Sequence, residues 1–173
     1  MFEHDPLHQA AKERYGFASW PGGKFRSAAG ELTPRRVLFA AQPERMKGMT
    51  FLVRKAMSGE RNSYTDYYSL GSDAERISVS IHEFASDKDA REGLVNILSH
   101  CMAIALPRCA DKGLTVGDIG FCGLDDTVSS VFFVRDNVLV RVESVGRKRI
   151  SVVEAAKEVD AQLLERMLGM IRL

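Results

Sequence analysis

The chain has 173 residues, 45% hydrophobic and 27% charged, a length and composition suited to one globular domain with its own core rather than a disordered or fibrous protein. Its 24 Lys and Arg balance 23 Asp and Glu, so no strong overall field draws in nucleic acid or an anionic membrane. No apolar run approaches the roughly 18 residues of a membrane span.

Residues 1–36 are poorly periodic and read as an N-terminal extension packed on a single domain of residues 37–173. Within it, Leu7 to Tyr15 fits a short helix, and Trp20 and Phe25 serve as pins onto the domain. Trp20-Pro21-Gly22-Gly23-Lys24 has the glycines of a phosphate loop but neither the Walker spacing nor a Ser or Thr after the lysine, so it reads as a surface turn. The first residues lack the basic and apolar regions of a secretion signal, which makes a cytoplasmic protein the expectation and an exported one the alternative.

Val37 to Ala41 is a short apolar run, and Pro43 to Gly48 a turn. Three strands follow: Thr50 to Met57, Ser63 to Leu70 and Arg76 to Ala85, separated by turns at Ser58 to Asn62 and Gly71 to Glu75. The third alternates cleanly, with Ile77, Val79 and Ile81 on one side and Ser78, Ser80 and His82 on the other.

A helix then opens at Ser86, whose hydroxyl suits an N-cap, with Asp87 and Asp89 where the helix dipole favours negative charge. Ala90, Leu94, Ile97, Leu98, Cys101 and Ala105 form its apolar stripe, and Pro107 stops it. Leu114 to Ile119 fits a short strand, and Gly117, Gly120 and Gly123 loosen the backbone around it.

Ser129 to Glu143 is the clearest hairpin, turning at Asp136-Asn137. That turn pairs Phe133 with Val140 and Val131 with Val142 on an apolar face that must meet the core. It pairs Val134 with Leu139 and Phe132 with Arg141 on a mixed face that is only partly covered. A last helix opens at Ser151 with Glu154 in capping-box spacing, its stripe formed by Val152, Ala156, Val159, Leu163, Met167 and Met170. The elements add up to an α+β fold, an antiparallel sheet of about five or six strands with two main helices on one face.

Val116-Gly117-Asp118-Ile119-Gly120-Phe121, the hairpin Phe132 to Val142, and the closing helix with Ala155, Ala156, Val159, Asp160 and Leu163 form a combined pattern. It resembles the C-terminal half of poorly characterised bacterial α+β modules of the extracytoplasmic sensor and lipoprotein-domain type. The resemblance implies a bacterial, non-enzymatic binding or interaction module, exported from the cytoplasm.

Candidate chemistry is sparse. His4 and His8 are spaced for a metal on a helix, but Pro6 lies between them at a chain end, so no metal or cofactor is expected. His82 and Glu83 are neighbours on a strand and point to opposite faces. Three cysteines, Cys101, Cys109 and Cys122, are too few for two disulfides. Cys101 reads as a buried helix thiol, and Cys109 and Cys122 lie in loops where they could pair, with reduced thiols the default. Cys122, in Gly120-Phe121-Cys122-Gly123, is the one tempting nucleophile; it needs His82 or His100 as a base, while Asp125 and Asp126 disfavour its thiolate. Arg147-Lys148-Arg149 reads as a solvated loop, with an anion patch the alternative.

Tyr64 and Tyr68 share one face of their strand and Tyr67 the other, which makes no three-ring platform for bases; nucleic acid is disfavoured as a partner. The expectation is a non-catalytic binding or protein-interaction module using Tyr64, Tyr68, Phe132 and Arg141 on its outer sheet face, with a protein or small ligand as partner. Residues 1–36, or a second copy of the chain in a homodimer, are equal alternatives as cover for the mixed face. The alternative is a small enzyme with a dispersed site involving Cys122 or His82.

Overall fold

In a computed structural model, which describes residues 5–23, 41–56, 63–102 and 105–171, the chain is an α+β protein built on one six-stranded sheet. The elements in chain order are α1 (Pro6–Arg14), β1 (Thr50–Ala56), β2 (Ser63–Ser69), β3 (Arg76–Glu83), α2 (Asp87–Ser99), β4 (Ile119–Cys122), β5 (Ser130–Arg135), β6 (Val138–Ser144) and α3 (Val153–Ile171). The sheet order is β1-β2-β3-β6-β5-β4, and every neighbouring pair is antiparallel. His4, Lys24, Phe25, most of the Val37–Ala41 run and the Ser58–Asn62 turn lie outside the described residues.

The hairpin has the register that its turn chemistry dictates, with Phe133 opposite Val140, Val131 opposite Val142 and Phe132 opposite Arg141. Asp136 takes the positive φ (52°) that this turn requires. Its N–H donates to Asp118 at 2.6 Å, and the Asn137 amide donates to the Phe84 carbonyl at 2.9 Å. Arg135, at the strand end, grips Asp160 of α3 through two bonds of 2.8 Å and Asp118 through one of 3.0 Å. The Gly-Asp loop, the hairpin tip and the last helix are thus fastened by one cation.

Ser86 caps α2 as its sequence promises, its hydroxyl accepting from the Asp89 N–H at 3.0 Å. The helix ends at Ser99, well before Pro107, and there the Ser99 hydroxyl and the His100 ring both donate to the Asn96 carbonyl. The strand expected at Leu114 to Ile119 instead occupies Ile119 to Cys122. Leu114 and Val116 are buried as irregular chain, while Gly120 lets β4 approach: a Cβ there would stand 3.1 Å from both Phe133 and the Cys109 sulfur.

The two main helices do not share a face. Val152, Ala156, Val159 and Leu163 of α3 join Ile77, Val79, Ile81, Val131, Phe133, Val140 and Val142 in one core. Ala90, Leu94, Val95 and Leu98 of α2, with Ala11, Tyr15 and Trp20 from the N-terminal region, join the opposite parity of the strands, Ile119, Phe121, Phe132, Val134 and Leu139, in another. The reason lies in β4 and β5: Phe121, Phe132 and Val134 make their second face as apolar as the first, so each face demands its own cover. Gly93 brings α2 close, since any Cβ there would stand 2.6 Å from the Phe84 ring.

Candidate binding face

Register assigns every sheet residue to a face. Tyr64 lies opposite Ile81, Asp66 opposite Val79 and Tyr68 opposite Ile77, so all three point toward α3, into the core. Tyr64 is 3% and Tyr68 0% exposed. The two tyrosines expected on the outer face therefore offer no ring surface to a partner. Asp66 lies between them on the same side of β2. It is buried because β1 brings it a counter-ion: Arg54 reaches it through two bonds of 2.6 and 2.7 Å and also donates to the Ala41 carbonyl at 2.9 Å. The guanidinium lies 4.2 Å from the Tyr64 ring centre. Burial pushes the Tyr64 hydroxyl up to about 12, and burial together with Asp66 pushes Tyr68 up as well.

Phe132 points to the other face but is 6% exposed, covered by the α2 cluster. Of the four expected contacts only Arg141 is exposed; it lies 5.8 Å from the Phe132 ring centre and 3.1 Å from Glu143.

Among the described residues, the half-buried and exposed set on that face is a different one. α2 packs on β5 and β6, and the face then continues across β3, β2 and β1. One row across the strands reads Lys55, Thr65, Ser80, Arg141; the next on one side holds Tyr67, and the next on the other His82. Thr65, Tyr67, Ser80 and His82 are half-buried, and Lys55 and Arg141 are exposed. Thr65 and Ser80 hydroxyls share a hydrogen bond of 2.9 Å, the Lys55 ammonium sits 5.4 Å from the centre of the Tyr67 ring, and His82 stacks on Phe84 at 4.1 Å. Tyr67, the ring set aside by sequence reasoning, is the one on this face. The signal was available: β3 has a plainly apolar side, and antiparallel pairing through the Gly71–Glu75 turn puts Tyr64 and Tyr68 on that side and Tyr67 away from it.

The face runs out to β1, the edge of the sheet. All seven residues of β1 are exposed, among them Phe51 (40%), Leu52 (43%) and Val53 (41%). The register shifts between Phe51 and Val53, a bulge that breaks the regular edge.

The residues of the enzymatic alternative are not brought together. Cys122 is 0% exposed and lies opposite Val131, on the α3 side. His82 is opposite Leu139, on the α2 side. His100 ends α2 with its ring on the Asn96 carbonyl. Cys122 instead meets Cys109, the two sulfurs 2.9 Å apart. This contact pushes the Cys109 thiol up, with burial adding to it, and pulls Cys122 down. His8 is buried and engaged with Glu92, which Lys12 also pairs.

Compared with known proteins, the chain matches no family model, no curated protein and no solved structure.

Proposed function

We propose that this chain is a non-catalytic protein-interaction module that receives its partner on the open half of the sheet and along the edge strand β1. The observation that supports this is the half-covered sheet. Among the described residues, the α2 cluster seals β4 to β6, and the same face of β1 to β3 carries Lys55, Thr65, Tyr67 and Ser80 next to Arg141. Tyrosine and arginine are the side chains that interfaces favour, because each combines a large contact area with directed hydrogen bonds. Among the described strands β1 lies at the sheet edge, and its exposed Phe51, Leu52 and Val53 stand where an extended segment of a partner can join. On the resemblance of its stretch from Val116 to Leu164, we place the module among bacterial binding domains.

Site-specific photocrosslinking in cells tests the reading. A benzophenone side chain is placed at Val53, at Thr65, or at Lys157 on the exposed side of α3. The expected result is the same discrete adduct from Val53 and Thr65 and none from Lys157; an adduct of twice the chain mass identifies the partner as a second copy. Equal labelling from all three positions, or none from Val53 and Thr65, overturns the proposal.

A further inference from the structure

We infer that Cys109 and Cys122 are a disulfide-forming pair that staples the segment before β4 to the sheet. The two residues are 13 positions apart, and their sulfurs lie 2.9 Å from one another, closer than two unbonded carbons pack (about 3.5–4.0 Å) although sulfur is the larger atom. A disulfide needs about 2.0 Å, a closure that side-chain rotation supplies. The two backbones are already held side by side. The Cys122 N–H donates to the Pro107 carbonyl at 3.0 Å, and Arg108 forms a β-bridge with Phe121. Gly120 leaves the space in which the Cys109 sulfur sits. Cys101 takes no part: its thiol donates to the Ile97 carbonyl at the end of α2.

The oxidant that completes the chemistry is a low-molecular-weight disulfide, R–S–S–R. Either thiolate can open the exchange, Cys122 for example. Attack breaks the R–S–S–R bond, forms a Cys122–S–S–R mixed disulfide and releases one thiolate, which takes up the proton that Cys122 lost. The Cys109 sulfur then attacks the Cys122 sulfur, giving the intramolecular disulfide and releasing the second R–SH with the Cys109 proton. Two thiols are oxidised and one disulfide is reduced. Because both sulfurs are almost fully buried, exchange proceeds while the chain folds or when the segment before β4 lifts away. The pair is thus a staple set by compartment: closed in an oxidising setting, open in a reducing one.

The test uses the full chain. Reduced protein is unfolded and refolded with or without oxidised glutathione, then denatured and alkylated. Expected after oxidation are a single alkyl adduct, on Cys101, a linked pair of peptides holding Cys109 and Cys122, and a melting temperature about 5–10 °C higher than that of the reduced form. The reduced form takes an adduct on each of its three cysteines. Cys101→Ser keeps the linked peptides. Three adducts after oxidative refolding, a linkage through Cys101, or glutathione left attached to Cys122 would each overturn the inference.

Discussion

The most demanding consequence of the fold concerns Arg54. Asp66 is fully buried in the sheet, and its charge is met chiefly by one guanidinium from the edge strand. Arg54→Met keeps the aliphatic stem and removes the cation. Breaking a buried ion pair from one side costs about 3–5 kcal/mol, because the remaining charge keeps its desolvation penalty and loses its partner. Arg54 is itself 32% exposed, which puts the expected loss at the lower end, about 3 kcal/mol. For a chain of this size that corresponds to a fall of about 6–12 °C in melting temperature. Urea denaturation followed by circular dichroism reads the loss directly. The decisive comparison is the double variant Arg54→Met with Asp66→Asn, which removes the orphaned charge and should recover most of the deficit. A single variant losing less than about 1 kcal/mol, or a double variant no better than the single, would refute the assignment of Arg54 as the counter-ion that permits Asp66 to be buried.

Other predictions read the same structure. Tyr64 titrates at about 12 when folded, against an ordinary tyrosine near 10, so its neutral form stabilises the fold fully below about pH 10 and that contribution is lost as pH rises through about 12. The urea midpoint should fall steeply across that window, and less steeply in Tyr64→Phe; parallel curves would contradict it. Burial works to raise the Glu92 carboxyl, but bonds from Lys12 and His8 prevail and hold it below the usual range. Its stabilisation is therefore present above the ordinary carboxylate pKa and lost as pH falls through the lowered one, and Glu92→Gln should flatten the acid limb of melting temperature against pH. Gly117 and Gly113 have nearly equal positive φ, 68° and 72°, yet a Cβ on Gly117 would stand 2.6 Å from the Val134 carbonyl while one on Gly113 meets nothing. Gly113→Ala should cost about 1 kcal/mol, from backbone conformation alone, and Gly117→Ala clearly more in the same denaturation assay.

Where the sequence contains a local mechanism, the fold could be read from it. The Asp136-Asn137 turn fixes the hairpin register, the Ser86 cap starts α2, and the alternation of Ile77, Val79 and Ile81 marks a strand and its inner side. What escaped depends on partners distant in sequence. Tyr64 and Tyr68 are expected on an outer face, but they share their side with Asp66, which Arg54, on another strand, neutralises so that the row enters the core. The sequence allows Cys109 and Cys122 to pair but does not say that they meet; the bridge between Arg108 and Phe121 brings them together. The placement of the two helices on opposite faces was implicit in Phe132 and Val134, whose neighbours Val131 and Phe133 already fill the other side.

That last point also explains why the sheet has an open half at all. β4 and β5 are apolar on both faces, so α2 and α3 must sandwich them. β2 and β3 are apolar only toward α3; their other side carries Thr65, Tyr67, Ser78, Ser80 and His82, which gain little from a dry cover and would have to exchange hydrogen bonds to water for it. α2, 13 residues long, packs chiefly on β5 and β6. The polar side of β1 to β3 is therefore a direct outcome of composition. A partner that uses it must match hydroxyls, an imidazole and two cations as well as the apolar edge of β1, which favours a polar, specific contact over a greasy one.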